Sequence, residues 1–282
     1  MSSLSLSPDA AAAVQPLPEH RSRGYWASVL QRLARDPVAM GAAAVVALLI
    51  LMALLAPWLA PADPYATSII KRLKPIGTEG LPLGSDELGR DLLSRLMVGA
   101  RLSLFMGITP VLMAFVIGTG IGILAGYAGG RTNTVIMRTI DVFYAFPSVL
   151  LAIALSGALG AGIVNSLVSL TIVFIPQIAR VAESVTAQAR NRDYVEAARA
   201  TGASAFTIVR VHVLGNVLGP IFVYATSLIA VSMILASGLS FLGLGVKPPE
   251  PEWGLMLNTL RTAIYTPVSY THLRAHETRE DL

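Results

Sequence analysis

The residues that could do chemistry in this sequence are few, and Asp141 is notable because it lies between two long uncharged segments. An ionisable group in such surroundings is costly unless it is paired or functional. Arg138 precedes Asp141 by three residues, the spacing at which two side chains meet on one helix face. The sequence therefore predicts an Arg138–Asp141 ion pair, with a place on a polar path as the alternative. Asn165, Gln177 and Asn216 are further candidates for such a path.

The composition excludes a soluble globular protein. Hydrophobic residues make up 54% of the 282 residues and charged residues 13%, about half of the ~25% typical of soluble domains. Mean hydropathy is +0.64. The net charge of +4 comes from arginines and lysines scattered at the ends of apolar segments, which is typical of membrane anchors rather than of a nucleic-acid-binding surface. The composition thus excludes a soluble enzyme, a nucleic-acid-binding module and a disordered chain, and predicts an all-α integral membrane protein.

Motifs for enzymatic catalysis are absent from the sequence. It contains no Gly-x4-Gly-Lys-Ser/Thr phosphate loop, no Gly-x-Ser-x-Gly elbow, no His-Glu-x-x-His motif and no cysteine. His272 and His276 have the spacing of a helical zinc pair, but residues 268–282 resemble a translated sequencing adapter and are predicted to be non-native. We therefore expect no catalytic residue, metal or cofactor. A membrane-embedded enzyme built around Asp141 is the alternative, and the lack of a second carboxylate or histidine at membrane depth argues against it.

Long uncharged segments predict five membrane-spanning helices. The first is 37–60, which is longer than the ~7–15 apolar residues of a signal peptide. A second lies in 102–130. Segment 142–179 holds two, because one crossing needs only ~20 residues and glycines mark a turn within it; the fifth is at about 217–239. Residues 1–36 are then a cytoplasmic N-terminal tail, an orientation that the slight excess of arginine and lysine on the inner side favours.

Two features of these spans predict how the helices pack. Gly118, Gly122 and Gly126 recur at every fourth position in the second span, which predicts a flat strip against which a neighbouring backbone packs closely. Pro147 falls in the third span and is expected to kink it.

The most informative segment is a polar stretch between the last two spans. Residues 193–201 are rich in helix formers, Gly202 is expected to end that helix in the left-handed conformation, and Ser204 to cap a second short helix. The sequence thus predicts helix, glycine corner and helix on the arginine-rich side of the membrane. A passive channel would not need such a segment.

The motif Glu196-Ala197-Ala198-x3-Gly202 resembles the EAA loop of permease subunits in binding-protein-dependent ABC importers. The two small alanines are predicted to leave a shallow face that can seat in a groove of another protein, with Glu196 and Arg199 at its rim. The resemblance implies that this EAA loop, at about residues 183–215, docks into a separate ATPase subunit.

Further stretches narrow the resemblance to the dipeptide/oligopeptide/nickel family and, within it, to the C-type second permease. They are residues 83–104, 125–130 and 239–254. The family's Ile-x-Leu-Pro sequence after the EAA motif is altered here, with His212 and Gly215 at the Ile and Pro positions.

The resemblance implies a type I ABC importer permease fold in the plasma (inner) membrane of a prokaryote. The implied partners are ABC ATPase subunits, a second homologous permease, an extracytoplasmic solute-binding protein and the lipid bilayer, with no nucleic acid. The implied function is import of a small solute, with di- or oligopeptides favoured and nickel or other small solutes left open.

The remaining segments are assigned from their position relative to the predicted membrane spans. Residues 61–101 are predicted to be extracytoplasmic, with a helix lying on the membrane surface. Its lipid face would be Leu88, Leu92, Leu93, Leu96 and Met97, and its water face Arg90, Asp91, Ser94 and Arg95. Residues 102–267 form the predicted permease core. Family members continue into a sixth span, so five spans and a truncated sequence are expected here.

Overall fold

The computed structural model describes residues 33–261. The predicted non-native tail and most of the N-terminal tail lie outside the described residues, and so does the region to which the expected truncation of a sixth span refers. Regular structure between residues 33 and 261 is helical. The elements are α1 Pro37–Leu59, α2 Leu92–Ala128, α3 Gly130–Tyr144, α4 Ser148–Leu159, α5 Ile163–Arg190, α6 Asp193–Ala200, α7 Ala205–Thr207, a π-helical segment Ile208–Val213, α8 Leu214–Phe241 and α9 Trp253–Leu260.

Four of these helical stretches are long and apolar enough to cross a membrane, namely α1, α2, α5 and the continuous stretch Ala205–Phe241. The pair α3 and α4 makes a fifth span if it is taken as one broken span, in agreement with the predicted number. The two helices are bent by 85°, which is a full break rather than the predicted kink. It arises because Pro147 has no N–H to donate and disfavours the helical conformation of the preceding Phe146.

The chain divides into two units, and the boundary falls within α1 after Leu49. In the first unit, α1 carries exposed apolar side chains such as Val45 and Leu48. A helix that is apolar on every side is typical of a membrane span.

The second unit is built around α2 and α5, which form its most extensive helix pair, with α8 packed against both. α4 packs on α5, and α9 packs on α8 and α2. Fully buried side chains occupy the centre, among them Met106, Leu170, Phe174, Ile178 and Ile221.

The three glycines of α2 lie against the backbone of α5. A Cβ atom on Gly122 would lie 2.5 Å from the carbonyl oxygen of Ala179, and one on Gly126 would lie 2.6 Å from that of Glu183. A Cβ on Gly118 would be 3.0 Å from a backbone oxygen of α5. Glycine therefore permits the close approach of the two helices, at the positions where the sequence predicts a strip.

The predicted surface helix in residues 61–101 is wrong. α2 begins at Leu92 and continues without interruption into the second span. The residues predicted to face water, Arg90, Asp91, Ser94 and Arg95, are buried, whereas Leu88 and Leu96 are exposed.

The two arginines are buried together with Asp86, which is the counter-ion of both. Arg90 Nε donates to Asp86 Oδ2 at 2.7 Å, and Arg95 Nε lies 3.5 Å from the same oxygen. Arg95 Nη1 also donates to the carbonyl oxygen of Pro64 at 2.9 Å. A buried ion pair is tolerated when hydrogen bonds of this kind satisfy its groups. Asp86, Arg90 and Arg95 are called the buried charge cluster below.

Distant parts of the chain meet at this end of α2. The buried carboxylate of Glu252 caps α9, accepting from the backbone N–H of Gly254 and of Leu255 at 2.9 Å each, and Ser103 Oγ donates to it at 3.3 Å. The Tyr65 hydroxyl donates to Glu250 at 2.9 Å. Burial raises the pKa of Tyr65, and the hydrogen bond to Glu250 raises it further.

Candidate functional site

The EAA loop is a pair of capped helical segments. Asp193 and Glu196 lie in the first turn of α6, where negative charge stabilises the helix dipole. Gly202 has a φ of 81° and ends the helix as predicted: its N–H donates to Arg199 O at 3.0 Å, and the N–H of Ala203 donates to Ala198 O at 3.1 Å. This pair of bonds is a Schellman motif, which favours glycine at its left-handed position.

The second short helix begins with the predicted cap. Ser204 Oγ accepts a hydrogen bond from the backbone N–H of Thr207 at 3.2 Å. The chain then passes through the π-helical segment Ile208–Val213 directly into α8. The altered positions His212 and Gly215 therefore lie in a continuous helical exit rather than at a proline break.

The four motif residues do not share one surface. Ala198 is buried and packs into the core together with Val195, whereas Glu196 and Ala197 are exposed. The shallow face predicted from both alanines is thus formed by Ala197, and Ala198 instead fixes α6 to the rest of the molecule.

Two arginines hold the loop against the end of α2. The Arg199 guanidinium lies 5.6 Å from the centre of the Tyr127 ring, within the range of a cation–π interaction. The Arg190 guanidinium occupies the space beside Gly129, where a Cβ atom would overlap it. The loop is therefore seated on the structure while Glu196 and Ala197 face outward.

The same loop carries exposed apolar side chains that were not predicted from the sequence. Phe206 is 73% exposed and Val211 is 62% exposed, and Tyr194 on α6 is also exposed. Exposed aromatic side chains beside a charged residue are typical of protein interaction sites. The available signal was the single aromatic residue in the otherwise small and polar sequence 203–207.

The polar residues predicted for a path differ in their contacts. Asp141 pairs closely with Arg180 of α5, a partner that was not predicted, while Arg138 Nη1 lies 4.0 Å from Asp141 Oδ2. Gln177 lines a cavity of about 200 Å³ between α3, α4 and α5.

The two asparagines, Asn165 and Asn216, donate hydrogen bonds to backbone carbonyl oxygens. Asn165 Nδ2 donates to the carbonyl oxygens of Leu159 and Gly160, at 2.8 and 2.9 Å, and so closes the turn after α4. Asn216 Nδ2 donates to the carbonyl oxygen of His212 at 2.7 Å. Among the described residues, no group of three or more histidine, aspartate or glutamate side chains is placed to hold a metal ion.

Comparison with known protein families identifies the family to which the chain belongs. Residues 118–272, which include the glycine strip and the whole EAA loop, match the family model described as binding-protein-dependent transport system inner membrane component. The chain belongs to this family. Residues 24–75 match the N-terminal transmembrane domain of oligopeptide transport permease C. The chain is thus a multi-pass inner-membrane component of an ABC import system, and the resemblance inferred from its motifs is confirmed.

Curated relatives are similar in sequence to this chain over most of its length. It is 41% identical to a di/tripeptide transport system permease protein of Pseudomonas aeruginosa, covering 85% of this chain and 80% of that one. It is 42% identical to a glutathione transport system permease protein of Pectobacterium atrosepticum, with 85% and 80% covered. It is 37% identical to a probable D,D-dipeptide transport system permease protein of Escherichia coli, with 87% and 82% covered. These relatives are transport permeases rather than enzymes.

A solved structure shares the fold. A chain of the MetNI methionine ABC transporter, in inward-facing conformations, superimposes with a TM-score of 0.50 at 20% identity, covering 65% of this chain and 97% of that one. The predicted permease fold is therefore confirmed.

Proposed function

We propose that this chain is the second, C-type permease of an importer for di- or oligopeptides and that its EAA loop receives the movement of a separate ATPase. The observation that carries the proposal is the loop itself. It is capped at both corners, seated on α2 by Arg199, and exposes Glu196, Ala197 and Phe206. A rigid segment with exposed polar and aromatic side chains can bind a partner and move with it without unfolding.

The helices connected to the EAA loop can transmit a movement of the ATPase to the membrane-spanning part of the chain. α5 leads into α6 through the two residues Asn191 and Arg192, and the glycine strip holds α2 tightly against α5. Closure of an ATPase dimer against the loop would then move α5 and α2 as one body, as in rigid-body transitions that alternate access. A second homologous permease completes the translocation path for the solute, since one permease subunit lines only one side of that path.

The topology follows from the same proposal. Four crossings precede the EAA loop, so an N-terminus on the cytoplasmic side places the loop on that side also, where ATP is available. The chain has no phosphate loop, so it binds and hydrolyses no ATP itself, and the partner subunit is the enzyme. The solute reaches the outer face on an extracytoplasmic binding protein.

Peptides are favoured as the solute because the three relatives described above are named for di/tripeptides, glutathione and D,D-dipeptides. Uptake of radiolabelled Ala-Ala and of ⁶³Ni²⁺ into proteoliposomes that contain the complete importer and its binding protein separates the two candidate solutes. ATP-dependent uptake of Ala-Ala alone is expected. Uptake of nickel alone would refute peptide transport and leave the coupling mechanism standing.

Coupling is tested by co-purification of the permease with its ATPase and by ATPase stimulation with the liganded binding protein. Phe206→Ala and Glu196→Ala should weaken co-purification and reduce stimulation at least about tenfold, because hot-spot residues at an interface contribute ~2 kcal/mol or more. The matched control is Val164→Ala, which truncates a 70% exposed residue at the opposite end of α5 and should change neither measurement.

Gly202→Val provides a test of the loop's shape. A β-branched residue is strained at a φ of 81°, so the corner between α6 and α7 should open and stimulation should be lost. Full ATPase stimulation in both Gly202→Val and Phe206→Ala would contradict the proposed role of the EAA loop.

A further inference from the structure

A second group of charged residues lies away from the EAA loop, where α3 meets α5. Asp141 of α3 and Arg180 of α5 form a close ion pair, and Arg138 lies 4.0 Å from the other carboxylate oxygen. Two guanidinium groups therefore share one carboxylate. Glu183, one turn further along α5, accepts a hydrogen bond from Asn133 Nδ2 at 2.6 Å, so its charge is directed to a different partner.

Arg180 retains the capacity to bind a second carboxylate. It contacts Asp141 through Nη2, whereas a guanidinium carries five N–H donors and commonly binds carboxylates through two of them. Its side chain is 47% exposed. The guanidinium lies 6.0 Å from the centre of the Tyr144 ring, which fixes its position without using its in-plane donors.

A cavity begins at this tyrosine. Tyr144 is part of the wall of the cavity of about 200 Å³, together with Phe143, Phe146, Pro176 and Gln177. This volume is smaller than the ~300–1,000 Å³ of pockets that enclose a whole ligand. It suits one apolar group of a small solute, with Gln177 as a hydrogen-bonding residue and Arg180 in contact with the Tyr144 ring that forms part of the wall.

The ion pair lies towards the carboxyl-terminal end of α5, three residues before the EAA loop begins. Arg180 is ten residues before the end of α5 at Arg190, a distance of about 15 Å at ~1.5 Å per residue. About 25 Å of the same helix precede it. Because these 25 Å nearly equal the ~30 Å thickness of the hydrocarbon core, the proposal places the ion pair at the inner end of the path, where charged side chains face water or another subunit rather than lipid.

From these observations we propose that Arg180, assisted by Arg138, forms a transient binding site for a carboxylate group of the transported solute, with Asp141 as the competing counter-ion. The proposal rests on the proposed function, since it requires a solute that passes along α3 and α5. A solute carboxylate displaces Asp141 from Arg180, and Asp141 returns to Arg180 when the solute leaves. A site with a built-in competitor binds weakly, which suits a path that must also release its solute.

The test is saturation-transfer difference NMR on the permease–ATPase complex in nanodiscs, without the binding protein, so that the specificity of that protein does not enter. The probes are the dipeptide Ala-Ala and its C-terminal amide. In the unmodified complex the signal of Ala-Ala should be at least roughly fivefold stronger than that of the amide, because charge-assisted bonds to a guanidinium are stronger than neutral ones.

Two variants separate a binding role from a structural one. Arg180→Gln should lower the Ala-Ala signal to that of the amide. Asp141→Asn should raise the apparent affinity for Ala-Ala, since the competitor is removed, whereas an ion pair that only holds α3 to α5 would make both variants lose binding together. Asn133→Ala is the matched control, because it removes a neighbouring hydrogen bond between α3 and α5 and should leave the signals unchanged.

Three results would overturn the proposal: no saturable signal for Ala-Ala, equal signals for Ala-Ala and the amide, or reduced binding in Asp141→Asn. Each is independent of co-purification and ATPase stimulation, so failure of the carboxylate site is distinguishable from failure of the proposed coupling function.

Discussion

The two ends of α2 use charged residues in opposite ways. At its start, the buried charge cluster is enclosed, and Asp86 is the counter-ion of both arginines. At its other end, the EAA loop keeps Glu196 exposed and uses Arg199 on Tyr127 to seat itself. Buried charges are costly to separate, so the first arrangement holds parts of the chain in one geometry, whereas exposed charges are available to a partner. The difference predicts that mutations at the first end change stability and that mutations at the second end change coupling.

The largest effect is expected at the buried charge cluster. Asp86→Asn leaves the guanidinium groups of Arg90 and Arg95 buried without a counter-ion, and breaking a buried ion pair in this way costs about 3–5 kcal/mol. We expect a clear loss of thermal stability of the purified protein in detergent, measured by intrinsic fluorescence. Glu79→Gln, at an exposed position of the same segment, is the control and should have no effect. An Asp86→Asn protein as stable as the control would show that the cluster contributes nothing to the fold.

A smaller effect is expected where α2 and α5 meet, between the two ends. Gly122→Ala places a Cβ atom 2.5 Å from both Ala179 O and Ala182 Cβ, and overpacking of this kind costs about 1–3 kcal/mol. Gly120→Ala is the matched control, since no atom lies within 4 Å of its Cβ position. Alanine favours a helix over glycine, so this control should be neutral or stabilising by up to ~1 kcal/mol. Equal melting temperatures of the two variants would argue against close packing at Gly122.

At the EAA loop the comparison predicts an effect on coupling without an effect on global stability. Ser204→Ala removes the cap of α7, which is worth about 1 kcal/mol, and so lowers the equilibrium ratio of ordered to disordered loop roughly fivefold. ATPase stimulation should fall while the melting temperature stays within error. Ser204→Asp retains a capping oxygen and should restore stimulation. A drop in melting temperature in place of a loss of stimulation would mean that the loop belongs to the stable core.

Features that depend on neighbouring residues could be predicted from the sequence. The spans follow from uncharged segments, the glycine strip from its spacing, and the corner of the EAA loop from Gly202 and Ser204, because each is determined within one or two turns of helix. The same local reasoning identified the family, since the EAA motif is a short stretch of chain.

Features that depend on distant partners could not be predicted. Arg95 was predicted to face water because its partner, the carbonyl oxygen of Pro64, is 31 residues away in the sequence. The sequence paired Asp141 with the nearby Arg138, whereas the closer partner, Arg180, is on another helix. It also placed both alanines of the EAA motif on one face, because the burial of Ala198 depends on the core beneath the loop.

The smallest effect is expected at Tyr65, on the edge of the region that encloses the buried charge cluster. Tyr65→Phe removes the hydrogen bond to Glu250, and a bond between partly exposed groups contributes at most about 1 kcal/mol. Burial and Glu250 raise the pKa of Tyr65 above its usual 10.0. A raised folded-state pKa means that the contribution is complete below pH 10 and is lost as the pH rises through the raised pKa. The difference in melting temperature between Tyr65→Phe and the unmodified protein should therefore be constant from pH 7 to 9 and shrink at higher pH. A difference that grows above pH 10 would mean that the Tyr65 phenolate, rather than the phenol, is the stabilised form, which the neighbouring carboxylate of Glu250 opposes.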